Sequence, residues 1–140
     1  MHSKHGDVMA CYELLREWDF GLVHEVLTDV GSNEASVTNT QYKPYNKLFA
    51  SNLDLLARYG PEFLTDEAFE LRMEERLALY YEFLAYTCFE GRPSDFWSLH
   101  REALEDAGRP LSSGRLFKEV VMRVLTNPRG CAWRLYRRLF

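Results

Sequence analysis

One strand-like segment in an otherwise helical chain is the sequence feature that most limits the fold. Residues 20–28, FGLVHEVLT, alternate with the period of a β-strand, so that His24 and Glu25 fall on opposite faces, each among apolar residues. Two faces of mainly apolar character are typical of a strand that is covered on both sides. A lone strand leaves its backbone N–H and C=O groups unpaired, so its partner strands are either unrecognised or outside this chain.

The other periodic segments of the chain have the spacing of amphipathic helices. A short helix is predicted over residues 8–17, ahead of the strand-like segment. After the strand, Gly60 and Pro61 are expected to end one helix, and Thr65 is expected to cap the next and longest one. Glycines and prolines then separate three further helical segments. The predicted fold class is therefore mainly α, with one short β element near the N-terminus followed by about five helices.

Composition favours one packed domain. The 140 residues suffice for a single core, and a hydrophobic content of 46% excludes a disordered chain. Cys11, Cys88 and Cys131 show no C-x-x-C spacing and fall on apolar helix faces, so we expect buried, reduced thiols in a cytoplasmic protein. No apolar run reaches the length of a membrane span, and the first residues lack the apolar segment of a signal peptide.

Charge is unevenly distributed along the chain. From Arg109 to the end there are eight basic residues and one acid, Glu119, whereas the preceding part carries nine basic and twenty acidic residues. Such segregation bears on interaction partners rather than on the fold. A nucleic-acid partner is not predicted, because the chain is acidic overall, at −4, and contains no recognised binding motif.

The N-terminal quarter carries polar and glycine residues in a distinctive order. Asp7 precedes the predicted helix, the run DFGLVHEVLT spans residues 19–28, and NEAS spans residues 33–36. This pattern resembles the closing part of the catalytic domain in bacterial family 2 glycosyltransferases, which have an acidic residue, a strand of the form D-F-G-F-V-H-x-V-L-T and a loop ending in E-S. The resemblance covers about residues 5–38, and residues 39–140 are similar in type to the helical extension of that family.

The resemblance implies a GT-A nucleotide-sugar fold in the intact enzyme, which would transfer a sugar from a nucleotide-sugar donor to an acceptor hydroxyl. In that family an Asp-x-Asp motif, which binds Mg²⁺ or Mn²⁺, precedes the matching part, and this sequence contains no such motif. Residues 1–38 are thus expected to be a remnant of the catalytic domain, and residues 39–140 a helical C-terminal extension. We expect such a C-terminal fragment to hold no cofactor and to be inactive alone.

Three residues are candidates for the acceptor-side chemistry that the resemblance implies. By the resemblance, Asp7 matches the position of the family's catalytic base, which removes the proton from the acceptor hydroxyl. The residue pattern alone favours Asp7 as the cap of the first helix, and one residue can fill both roles. His5 and His24 are candidates for substrate binding. The alternatives are a solvated terminus for His5 and a hydrogen-bonded structural histidine for His24.

The last predicted helix suggests a membrane partner. Residues 127–140 carry an apolar stripe that includes Leu135 and Tyr136. The candidate surface residues are Arg129, Trp133, Arg134, Arg137 and Arg138. Such a helix suits the headgroup region of an anionic membrane, on the inner face, where a lipid-linked glycan acceptor would be found. The alternative is a terminal helix that packs its stripe on the preceding helices.

Two further partner predictions concern the N-terminal part. An unpaired, apolar edge along residues 20–28 would favour self-association of the chain. The alternative to the enzyme fragment is a non-enzymatic helical module that binds another protein through its exposed N-terminal surface. The enzyme fragment and the protein-binding module differ in class, since only the enzyme fragment involves a glycan acceptor.

Overall fold

A computed structural model of the protein describes residues 6–21, 24–25 and 45–139, and it is helical almost throughout these ranges. They contain six helices: α1 (Gly6–Leu15), α2 (Leu48–Phe63), α3 (Asp66–Thr87), α4 (Ser94–Asp106), α5 (Ser113–Thr126) and α6 (Pro128–Leu139). The prediction of a mainly α protein is therefore confirmed.

The predicted strand over residues 20–28 is not seen. Phe20, Gly21, His24 and Glu25 are the described members of this segment, and all four are exposed in irregular backbone. The other members lie outside the described residues. A strand needs a neighbour to pair its backbone groups, and no strand occurs within the described ranges to serve as one.

The junction between α2 and α3 departs from the expectation that Gly60 and Pro61 end a helix. Helix α2 continues to Phe63 with Pro61 inside its last turn, where the Leu64 N–H still donates to the Gly60 carbonyl at 2.9 Å. A proline so near the end of a helix removes one hydrogen bond without stopping the backbone path. Gly60 instead permits close packing, because a Cβ atom there would lie 2.6 Å from the Phe69 ring of α3.

Helix α3 is the central element of the fold. Its first residue follows Thr65, whose hydroxyl accepts the Ala68 N–H at 3.3 Å, so the predicted cap is confirmed. Residues at helical spacing along α3 then enter the core with side chains from α2 and α4. The buried cluster comprises Leu53, Met73, Leu77, Tyr80, Tyr81, Leu84, Phe96 and Leu104.

A buried histidine joins α4 to the rest of this core. His100 is 1% exposed, with Nε2 at 2.9 Å from the Tyr45 carbonyl and Nδ1 at 2.6 Å from the Tyr80 hydroxyl. A carbonyl only accepts, so Nε2 carries the proton and the Tyr80 hydroxyl donates to Nδ1. Burial lowers the pKa of His100 to about 4, although the Tyr45 carbonyl opposes this; Arg92 adds a smaller lowering. His100 is therefore neutral at pH 7.

The three cysteines differ in burial. Cys131 is buried and Cys88 is half-buried, but Cys11 is exposed, so the expectation of three buried thiols is wrong for Cys11. Helix α1 contacts the last turns of α2 through Tyr12, and much of the described surface of α1 is exposed. Among the described helices, none combines the length and the apolar character that crossing a bilayer requires.

Candidate functional site

The predicted N-terminal site residues do not converge in the described part of the chain. Asp7 is exposed in the first turn of α1, where its Oδ1 atom accepts the Val8 N–H at 2.9 Å. His24 is exposed, and His5 lies outside the described residues. Within the described ranges no three histidine, cysteine, aspartate or glutamate side chains form a group suited to a metal ion.

Helix α1 is positioned by its contacts with the end of α2. The Tyr12 ring stacks on the Tyr59 ring at a centroid distance of 4.8 Å. The Tyr59 hydroxyl donates to Glu13 at 2.8 Å, and the Arg16 Nε donates to Glu62 at 2.6 Å. These contacts fix the helix that bears Asp7, but they bring no second titratable group to its carboxylate.

A series of ion pairs joins the basic C-terminal region to acidic residues of α3 and to Glu90 in the turn that follows it. Glu74 pairs with Arg115 and Glu82 with Arg123, each at 3.1 Å. At the two ends, Arg109 pairs with Glu70 at 2.6 Å and Arg134 with Glu90 at 2.7 Å. Four of the eight basic residues of this region are thus neutralised within the molecule. Because the pairs advance together along both helices, α3 and α5 run in the same direction.

The same arginines lie over tyrosine rings of α3. The guanidinium carbon of Arg115 is 4.9 Å from the centroid of the Tyr81 ring. Arg123 and Arg134 both lie over Tyr86, at 5.0 Å and 3.5 Å. Guanidinium groups are attracted to aromatic faces, and their aliphatic stems cover apolar surface. Arginines therefore contribute to the attachment of α5 to α3, together with the partly buried Leu116, and no residue of α5 is fully buried.

The opposite side of α5 exposes large apolar side chains. Phe117 is 70% exposed and Leu125 is 71% exposed, and Val121 lies between them at the same helical spacing. Met122 and Val124 at the margins are also exposed. Single exposed apolar residues are ordinary, but a row of them along one helix marks a surface suited to binding.

Helix α6, beside α5, likewise has an inner side with an ion pair and an outer side with exposed large side chains. On the inner side of α6, Cys131 is buried and Arg134 is partly buried beside Glu90. Trp133 is 61% exposed and Tyr136 is 56% exposed. The two exposed rings stack on each other at 6.1 Å. Leu135 is 40% exposed, so this part of the stripe is only partly covered.

The five candidate surface residues of α6 therefore differ in exposure. Trp133 and Arg129 are exposed, as a surface role requires. Arg134 faces Glu90 and Tyr86 instead. The side chains of Arg137 and Arg138 lie outside the described residues. Of the predicted surface residues, the structure thus shows Trp133 and Arg129 exposed on α6, and exposed apolar residues also occur on the neighbouring α5.

A groove between α2, α3 and α5 is the second candidate site. It has a volume of about 410 Å³ and is lined by Leu48, Phe49, Asn52, Leu53, Arg76, Leu79, Tyr80, Glu82, Phe83, Tyr86 and Arg123. The Phe49 and Phe83 rings stack at 4.3 Å and form much of its apolar wall. Its charged side chains are Arg76, Glu82 and Arg123.

Comparison of the chain with known protein families, with curated proteins and with solved structures gives no match. The sites above therefore stand on the geometry of this chain alone.

Sequence prediction missed both the α5 surface and the groove, for different reasons. The spacing of Phe117, Val121 and Leu125 is visible in the sequence, but α5 also carries apolar residues on its inner side. One signal that distinguishes the two sides is the spacing of eight between Arg115 and Arg123, which matches the glutamates of α3. The groove is formed by three helices together and has no such signal.

Proposed function

We propose that this protein is a peripheral membrane-binding module, and that the outer surface of α5 and α6 lies on an anionic lipid surface. This outer surface is defined by Phe117, Val121, Leu125, Trp133 and Tyr136. The observation that carries the proposal is the exposure of this set, from Val121 at 38% to Leu125 at 71%, while Arg115, Arg123 and Arg134 of the same helices pair with glutamates on the inner side. Tryptophan and tyrosine are the residues that favour the boundary between lipid and water.

Charge supports a lipid partner over a second copy of the chain. Lys118 and Arg129 lie beside the outer surface, and neither forms an ion pair with a described residue. Glu119 is the one acid between Arg109 and the end of the sequence. The cations near this surface would attract anionic headgroups, whereas pairing with a second copy would set like charges against each other.

The expected attachment is reversible. Each cation near an anionic membrane contributes about 1 kcal/mol, and each apolar side chain adds a share that depends on how deeply it enters the lipid. An interfacial helix of this kind lies in the plane of the surface and does not cross it. Binding should therefore weaken strongly as salt is added.

Vesicle sedimentation tests this proposal with a matched pair of substitutions. The chain is mixed with vesicles of phosphatidylcholine alone or of phosphatidylcholine with phosphatidylserine, whose anionic headgroups generate such attraction. We expect pelleting with the anionic vesicles only, and Leu125→Asp should reduce it about tenfold or more. Leu71→Asp is the control, because Leu71 is 60% exposed on α3, outside the outer surface.

A second pair of variants tests the charge contribution. Arg129→Gln should weaken binding about fivefold, because one cation near the headgroups is lost. Arg101→Gln removes an exposed cation of α4 and should leave binding unchanged. Binding that is equal for the neutral and anionic vesicles, or equal losses for Leu125→Asp and Leu71→Asp, would contradict the proposal.

The second candidate function is the acceptor side of a sugar transfer. It is favoured by the exposure of Asp7, whose described hydrogen bond occupies Oδ1 and leaves Oδ2 open to solvent. The sequence resemblance over residues 5–38 supports the role of catalytic base, with His5 and His24 as substrate-binding residues. Restoring a nucleotide-sugar domain in trans and assaying Asp7→Asn tests it, since a catalytic base must be needed for transfer.

A further inference from the structure

We propose that the groove between α2, α3 and α5 binds a single-chain amphiphile that has an apolar body and one anionic head group. The groove volume of about 410 Å³ lies within the range of small-molecule sites. This site is separate from the outer surface of α5 and α6, because α5 contributes the inward-facing Arg123 to it.

The walls of the groove suit an aliphatic or aromatic body. Phe49 stacks on Phe83, and the Phe83 ring is in turn held edge-on by Phe96 at 6.0 Å. Leu48 and Leu79 are each 52% exposed and line the same groove, so a bound apolar chain would remove both from water. Removing such surface from water contributes about 25 cal/mol per Å².

The charged residues of the groove determine the preferred head group. Arg123 donates to Glu82 at 3.1 Å and lies over the Tyr86 ring, so these two charges neutralise each other. Arg76 is exposed in the groove lining and makes no hydrogen bond or ion pair with another described residue. The remaining charge is therefore one cation, which is complementary to a carboxylate, sulfate or phosphate head. Asn52 lines the same groove and adds an amide donor.

Three probes that share one chain and differ in their head group test this inference. Octanoate, octanol and octyltrimethylammonium are titrated below their micelle concentrations, with binding followed by calorimetry and by amide and methyl shifts of the protein. We expect octanoate to bind up to about fivefold more tightly than octanol, the range for a partly exposed ion pair. The cationic probe should bind most weakly, because its head is repelled by Arg76.

Two pairs of variants locate the site. Arg76→Gln should reduce octanoate binding to the level of octanol, whereas Arg72→Gln, which removes an α3 arginine paired with Glu75, should not. Leu79→Trp should weaken all three probes about tenfold by filling the groove, and Leu71→Trp places the same ring elsewhere on α3.

The proposal is overturned if octanoate and octanol bind equally, if neither binds, or if Leu79→Trp leaves binding intact. Circular dichroism verifies that each variant is folded, and the exposure of Arg76 and Leu79 makes this the expected result. Leu125→Asp should retain octanoate binding while it loses vesicle binding. Failure of the groove and failure of the membrane surface are therefore distinguishable.

Discussion

The core of α2, α3 and α4 and the outer layer of α5 and α6 are held together by different interactions. In the core, residues such as Leu84 and Phe96 have no exposed surface, and a buried histidine is fully hydrogen-bonded. In α5 no residue is buried, and its arginines attach it to α3 through ion pairs and tyrosine rings. Burial of apolar surface contributes far more free energy than exposed ion pairs do. The outer layer should therefore separate from the core at a lower cost than the core itself unfolds.

This difference also explains which surfaces remain available. A helix packed by its apolar side leaves its charges in water, as most amphipathic helices do. Helix α5 is attached partly through charged side chains, so Phe117 and Leu125 stay exposed. The exposed apolar row and the inner ion pairs are thus two consequences of one packing arrangement.

The largest expected effect is in the core. Leu84→Ala should lower the free energy of unfolding by about 2–5 kcal/mol, because it leaves a cavity at a site with 0% exposure. Leu71→Ala, at a site that is 60% exposed, should cost less than about 1 kcal/mol. Urea denaturation measures both, and similar losses would remove the distinction between core and surface.

The next effect is a pH dependence from the buried histidine. The pKa of His100 is about 4 in the folded protein and 6.5 in the unfolded chain, so the unfolded chain takes up the proton first as the pH falls. The contribution of neutral His100 is complete above about pH 6.5 and is lost progressively as the pH falls towards 4, by about 3 kcal/mol in total.

His100→Gln isolates this contribution in denaturation experiments between pH 4 and 7. The variant should be less stable at pH 7, because the Tyr80 hydroxyl and the Tyr45 carbonyl lose their present partner. It should also lose the part of the pH dependence that belongs to His100. If the free energy of unfolding of the variant changed with pH between 6.5 and 4 as steeply as that of the unchanged protein, other groups would cause the pH dependence.

The smallest expected effect distinguishes the outer layer from the core most directly. Arg123→Gln should cost about 0.5–1 kcal/mol, since it breaks a partly exposed ion pair with Glu82. Hydrogen exchange should then increase in α5 and α6 but not in α3 or α4. High salt should produce the same pattern in the unchanged protein. Uniform acceleration over all helices would mean that the two regions unfold as one.

The sequence was sufficient for the parts of the fold that depend on local spacing. The core stripe of α3 and the Thr65 cap follow from residues a few positions apart. The continuation of α2 past Pro61 could not be predicted, because it depends on the packing of Gly60 against Phe69. The charge asymmetry was visible in the sequence. The pairing of the α5 arginines with glutamates of α3 was not, because it depends on the two helices lying side by side. Of the proposed membrane surface, Trp133 and Arg129 were identified from sequence, whereas the inward position of Arg134 was not.

The arginines of α5 also favour one alignment of α5 along α3. Arg115 and Arg123 each pair with a glutamate 41 positions earlier in the chain, at Glu74 and Glu82. Sliding α5 by one turn towards the end of α3 would set these arginines against Ala78 and Tyr86, and neither pair would form. Sliding it the other way would place Arg115 near Glu70 but Arg123 near Ala78. Interactions that contribute little to stability can thus select one alignment of two helices over its neighbours.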